Sequence, residues 1–168
     1  MDIATLLAET TDLLLTASNK GGIQQLVDLS LQTDFHIGVV GRRYPLLEEL
    51  TVEENIALPG MYHRNLNPQQ VIERLQGPLE ILDLLGALSQ RPTNLSRRDT
   101  LKVKLLRCLG QDSGIILLPT PGVEDVTQAF EAAQALKNGV RIWVACLDKT
   151  APAYDQFNLK PMALQGTP

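Results

Sequence analysis

At 168 residues, with 44% apolar and 20% charged side chains, the chain has the size and composition of one soluble domain with a core of its own. A net charge of −4 and an isoelectric point near 5.1 exclude a surface that tracks nucleic-acid phosphates, because such surfaces gather Lys and Arg on one face, whereas here they come in pairs. No apolar run approaches the roughly 18 to 20 residues needed to cross a bilayer, and Met1-Asp2 opens neither a signal nor a transit peptide, so the cytoplasm is the expected compartment. Cys108 and Cys146 lack CxxC spacing and a nearby His, and read as buried thiols.

Residues 3 to 17 place Ile3, Leu6, Leu7, Leu13 and Leu14 at mixed three- and four-residue spacing, which predicts an amphipathic helix. Ser18 to Gly22 reads as its exit, with Gly21 or Gly22 in the left-handed position, and Ile23 to Leu31 as a short strand. Phe35 to Val40 is β-branched and aromatic and reads as a strand, followed at its carboxyl end by the basic loop GRRYP. Thr51 and Glu54 form a capping-box pattern before Val52, Ile56 and Ala57, and Pro59-Gly60 is expected to end that helix.

Asn67-Pro68 starts the longest predicted helical segment, with Val71, Ile72, Leu75, Leu79, Leu82 and Leu85 in one stripe; Gly77-Pro78 should kink or divide it. A polar loop covers 87 to 94. Ser96 caps the next helix, with Asp99 in its first turn, an inner face of Leu101, Leu105, Cys108 and Leu109, and Lys102, Lys104 and Arg107 on the other faces. Ile115 to Leu118 is an apolar strand, Val123 to Leu136 a helix ending near Gly139, and Arg141 to Cys146 another strand containing Trp143. Two strand, helix, strand steps in succession argue for a parallel sheet covered on both faces. A short helix around Ala153 to Phe157 and an edge strand near Leu159 to Leu164 follow; Pro161 excludes the latter from the sheet's centre.

The stretch from His36 to Asp148 resembles the nucleotide-binding subunit of an ABC transporter, in the same order and at nearly the same separations, most closely the Mla-type phospholipid transport ATPases. HIGVVGRRYPLLEELTVEENIALP resembles the family's Q-loop region, I-G-x-V-F-Q followed by L-T-V-x-E-N-I-A-x-P. LEILDLLGA resembles the start of its helical subdomain, LSRRDTLKVKLLRCLGQDSGIILLPTP its signature helix and Walker B strand, and IWVACLD its last core strand. The resemblance implies an α/β, three-layer P-loop-NTPase-like fold with a partly parallel sheet. Residues 1 to 168 would form a single domain with a helical insertion at about 60 to 110 and a truncated amino-terminal part.

The family's P-loop, G-x-x-x-x-G-K-[ST], holds phosphates with backbone N–H groups and a Lys. Lys20-Gly21-Gly22 lacks its spacing, too few residues precede it for the strand that enters the loop, and ATLLAETTDLLL resembles the helix that would follow it. By the same resemblance, Arg42 stands at the Q-loop glutamine, Pro119 and Thr120 at the Walker B acids, Arg97, Arg98 and Asp99 at the signature Gly-Gly-Gln, and Leu147 at the switch histidine. The D-loop position is Asp125 with a gap or Val126 without one.

These replacements imply a pseudo-ATPase with no catalytic residue, no cofactor and no metal site. His36 and His63 lack partners at ligand spacing, and Glu48, Glu49, Glu53 and Glu54 read as a solvated face. The expected role is protein contact in an ABC transport assembly, with lipid as the cargo that the Mla-type likeness suggests. The partner would be an ABC permease or an intact ABC ATPase subunit, with no nucleic acid and the membrane reached only through the partner, at its inner face. Arg43, Tyr44, Leu46 and Leu47 are the partner-binding candidates, with Tyr44 and Leu46 expected at the surface. The alternative is a small-molecule or anion-binding module on the same eroded scaffold, with Arg42, Arg97 and Arg98 as anion-binding candidates. Each arginine pair has a plainer reading as solvated charge.

Overall fold

The computed structural model describes residues 3–33, 37–41, 44–136 and 139–164. Among the described residues, five strands form one sheet: β1 (Leu13–Ala17), β2 (Ile37–Val39), β3 (Ile115–Pro119), β4 (Arg141–Leu147) and β5 (Lys160–Ala163). Their order is β2-β3-β4-β1-β5, and every one of these pairings is parallel, so the described sheet is parallel throughout rather than in part. The described residues also form seven α-helices: α1 (Ile3–Leu7), α2 (Lys20–Gln32), α3 (Val52–Arg64), α4 (Pro68–Arg74), α5 (Gln76–Ile81), α6 (Arg97–Gly110) and α7 (Val123–Leu136).

Successive side chains of a strand point to opposite faces, and the core divides accordingly. Leu13, Leu15, Ile115, Leu117, Trp143 and Ala145 face one layer with Leu6, Ile23, Leu26 and Val27 of α1 and α2. Leu14, Ile116, Leu118, Ile142, Val144 and Cys146 face the other, with Val52, Ile56, Val71, Leu79, Val103, Leu106, Val126 and Ala129 from α3 to α7. Both faces being covered explains why β3 and β4 are uninterrupted apolar runs.

Several expectations are corrected. The helix expected over residues 3 to 17 is a single short helix followed by β1, which lies inside the sheet between β4 and β5. An interior strand must be apolar on both sides, and Leu13-Leu14-Leu15 is; the Asp12 carboxylate fixes its entry by accepting the Ile142 N–H at 2.6 Å. The strand expected at Ile23 to Leu31 is α2, capped by Asn19 where a helix exit was expected. Its buried residues Ile23, Leu26, Val27 and Ser30 recur at helical spacing.

Pro59-Gly60 does not end α3, which runs on to Arg64 and stops at left-handed Asn65 (φ 57°). Gly60 is needed inside the helix, because a Cβ there would sit 2.9 Å from Val71 and 3.2 Å from the Gly110 carbonyl. The segment opened by Pro68 divides at Leu75 into α4 and α5, leaving α6 and α7, at 14 residues each, as the longest helices among the described residues. The tail forms a 3-10 segment over Asp148–Phe157 and the edge strand β5, with Pro161 at the margin as expected. Phe35 and His36 of the second predicted strand lie outside the described residues.

Candidate functional site

Helices cover the sheet from both sides, and at the carboxyl ends of β2 and β3 the two layers part. In open α/β sheets this edge is where ligands sit. β3 ends at Pro119, after which Thr120 takes a left-handed conformation (φ 51°) and donates its N–H to the Ala145 carbonyl at 2.7 Å. The turn is fixed from two further directions: the Gly122 N–H donates to Asp125 at 2.8 Å, and the Tyr154 hydroxyl donates to the Pro121 carbonyl at 2.6 Å. The loop after β2 is held as firmly. Arg107 donates to the Tyr44 and Pro45 carbonyls, and the buried Asn55 side chain accepts the Leu47 N–H at 2.8 Å while donating to the Leu47 and Thr51 carbonyls, both at 2.9 Å.

Between these loops lies a cavity of about 580 Å³. Its apolar walls come from Ile23 and Val27 of α2, Val40 after β2, Leu105 of α6 and Leu118 of β3. Its charged groups are mostly cationic: Lys20 and Arg97, both exposed, Lys102, which pairs with Asp99 and donates to the Leu82 carbonyl, and Lys104, only 7% exposed. The Lys104 ammonium donates to the Gly41 carbonyl at 3.0 Å and has no carboxylate at ion-pair distance among the described residues. Burial, and then the Arg107 cation, hold its pKa below the ordinary lysine value. Asp125 and Gln128 also line the cavity. Asp125 is engaged as the cap of Gly122 described above.

The connection from β1 to α2 passes the same edge and is very short. Only Ser18 and Asn19 separate Ala17 from Lys20, and the Asn19 side chain accepts the Gly22 N–H at 3.1 Å, occupying one of the free donors at the start of α2.

No family model matches the chain. Over 104 residues, 61% of its length, it is 35% identical to the macrolide export ATP-binding/permease protein MacB of Pasteurella multocida. Over 88 residues, 52% of its length, it is 34% identical to the sn-glycerol-3-phosphate import ATP-binding protein UgpC of Escherichia coli strain K12. The sulfate/thiosulfate import ATP-binding protein CysA of Nephroselmis olivacea is 29% identical over 123 residues, 73% of the chain. Among solved structures, the dimeric cassette MJ0796 of a bacterial ABC transporter superposes with a TM-score of 0.70 at 16% identity, covering 93% of this chain and 82% of that one. The chain is similar in sequence to ATP-binding proteins of ABC transporters and shares the fold of the solved cassette. It spans 16% of MacB, 24% of UgpC and 33% of CysA, less than two thirds of each.

On this ABC cassette frame the predicted site residues scatter. Arg97 lines the cavity, and Pro119 and Thr120 stand at its rim. Arg98 turns away to an ion pair with Glu124 and, with the Gln128 amide oxygen facing it, lies 3.1 Å and 3.3 Å from that oxygen through its Nε and Nη2. Arg42 and Arg43 fall outside the described residues. Of the expected surface group, Leu46 is buried in the core, Tyr44 is half-buried against the α2 layer, and Leu47 alone is exposed among the described members. Leu46 is drawn inward because Asn55 and Arg107 pin the backbone on both sides of it.

Lys104, expected on a polar face, is buried as well. A signal was present: with Leu101, Leu105 and Cys108 it falls at the i, i+3, i+4, i+7 positions of the apolar stripe. Cys108 is closed off beside Gly38, and burial pushes its thiol up to about 12, which removes it as a nucleophile.

Proposed function

We propose that this chain is an ABC ATPase-like subunit that does not hydrolyse ATP and works by protein contact within an ABC transport assembly. The observation that carries the reading is the two-residue connection between β1 and α2. Against the expectation that too few residues precede Lys20-Gly21-Gly22 for an entering strand, β1 runs directly into α2, the strand-to-helix frame of a P-loop, yet the loop of G-x-x-x-x-G-K-[ST], whose last residues open the helix, has no room in Ser18-Asn19. Asn19 takes up a helix-start donor that a phosphate would use. Phosphoryl transfer depends on holding the triphosphate, the metal and the attacking water in register. Pro119 and Thr120 supply no carboxylate, Arg97 and Arg98 fill what the resemblance gives as two glycines, and Leu147 offers no imidazole.

The assembly would lie on the cytoplasmic side of the membrane, reached through a permease or an intact ATPase subunit. Among the described residues no helix is long and apolar enough to cross a bilayer. The Mla-like GRRYPLLEELTVEENIALP segment supports a lipid cargo, while the relatives' own names range over macrolide, sulfate and glycerol-3-phosphate transport. The loop face carrying Leu47, Glu48 and Glu49 is the contact surface offered by the described residues. The test is affinity purification from the native cell with Leu47→Ala as control, alongside phosphate release with magnesium and ATP. A permease or ATPase subunit retained by the wild type and depleted with the variant, without turnover, is the expected result. Magnesium-dependent turnover abolished by Asn19 or Lys20 substitution overturns the reading.

A further inference from the structure

We propose that the cavity at the carboxyl edge binds a small organic anion, a carboxylate or phosphate monoester on an apolar body, with its charged head against Lys104. The proposal stands independently of the partner role above. Three observations lead to it. The cavity volume of about 580 Å³ falls within the roughly 300–1,000 Å³ usual for small-molecule sites.

The second is the buried cation. An ammonium brings three donors and tolerates burial only when paired. Lys104 is more than nine-tenths buried, with one carbonyl acceptor and no carboxylate at ion-pair distance among the described residues. Neighbouring cations compound this: Arg107 is close enough to lower its pKa further, and Arg97 and Lys20 stand on the cavity wall. The Asp125 carboxylate, also on the wall, is held by the Gly122 N–H. An anion at Lys104 completes the ammonium's partners in a site where a charge-assisted bond is strong.

The third is what surrounds the charge. Ile23, Val27, Val40, Leu105 and Leu118 offer hydrocarbon walls, so a bare inorganic anion would leave most of the cavity unfilled. A ligand with both a charge and an apolar body uses both surfaces. Neither a purine nor a triphosphate is needed to use them.

The experiment is titration of the full chain, followed by calorimetry and by amide chemical shifts, with octanoate, octyl phosphate, octanol, inorganic phosphate and magnesium-ATP. Saturable binding of octanoate or octyl phosphate with a dissociation constant below about 1 mM is expected, with shifts centred on Gly41, Leu118, Thr120 and Gly122. Which of the two binds more tightly separates a carboxylate source from a phosphate-ester source. Octanol should bind at least about tenfold more weakly, the worth of one charge-assisted hydrogen bond, and inorganic phosphate and ATP, which lack an alkyl body to fill the apolar walls, should also bind at least about tenfold more weakly. Lys104→Met, close in volume, should lose a similar factor. Should that variant not fold, the octanoate-to-octanol ratio on the wild type decides the matter alone. No saturable binding of either anion, equal binding of octanol, or undiminished binding by a folded Lys104→Met overturns the proposal. Hydrolysis of ATP would defeat the partner reading without touching this one.

Discussion

Leu46 and Leu47 are adjacent, chemically identical and differently placed, which makes them a sharp test of the loop after β2. Leu46 is 6% exposed and shares a core with Val52, Ile56 and Val103, whereas Leu47 is 44% exposed. Truncating a buried leucine to alanine removes its transfer free energy and leaves a cavity, together about 3 kcal/mol. In a domain of this size each kcal/mol moves the melting temperature by about 2–4 °C, so Leu46→Ala should melt roughly 6–12 °C lower. Leu47→Ala should stay within about 0.5 kcal/mol of wild type, as exposed substitutions do. Thermal and urea unfolding of both variants are the assay. Equal melting of the two would mean that Leu46 is not packed inward and that the Asn55 and Arg107 bonds do not set this loop. The pair also decides how partner binding can be probed, since loss of a partner in Leu46→Ala would report unfolding, and only Leu47→Ala reports the surface.

Asn19→Ala removes the cap from Gly22 and should cost about 1 kcal/mol in urea unfolding; an unchanged midpoint would show that the β1–α2 turn is held by other means. Gly38→Ala should destabilise by about 1–3 kcal/mol, because the new Cβ would lie 2.5 Å from the Cys108 Cβ, which the α6 backbone fixes, and 2.8 Å from the Ser113 Oγ. A fully stable variant would refute the close approach of β2 and α6. Lys104 has its pKa lowered by burial, so on raising the pH the folded state gives up this proton before the unfolded one does. Its contribution to stability therefore rises with pH, from the lowered folded value up to the ordinary lysine value near 10.5, and is flat below that window. Subtracting the pH–stability curve of Lys104→Met should expose this rise; a difference that falls through the alkaline range would mean that Lys104 is charge-stabilised where it sits.

Elements with local marks were readable in advance. α6 begins at Ser96 and α3 at Thr51 because their side chains accept the N–H three residues on, a bond written in four residues of sequence. β3 and β4 were readable because an apolar run of strand length between turn residues has few other uses. β1 was not, since Leu13-Leu14-Leu15 fits a helix stripe as well as a strand buried on both faces. Its partners Trp143 to Leu147 and Lys160 to Ala163 lie more than a hundred residues away, and only that pairing decides. The site followed the same division. Arg97 could be placed at a helix start from its neighbours, whereas Lys104's place in the apolar stripe of α6 was outweighed by its charge, which reads as surface until the opposing loop is known.

The distribution of the core explains why the carboxyl edge of such a scaffold can vary without loss of the fold. The residues that fill the two layers belong to strands and inner helix faces, alternating side by side along β1, β3 and β4. Of the described positions that the resemblance assigns to chemistry, Pro119, Thr120 and Leu147 stand at the ends of β3 and β4 and Arg97 to Asp99 at the start of α6. Shortening or replacing a surface turn changes loop entropy by only about 1 kcal/mol or less, far below the cost of one core cavity. Such an edge is free to vary, and here it is held at several points. Tyr154, Asp125 and Ala145 each fix part of the β3 turn, Asn55 and Arg107 fix the β2 loop, and a lysine is kept buried between them. Burying Lys104 opposes stability at neutral pH, so an edge under no functional demand would be expected to hold an apolar residue of the same length there.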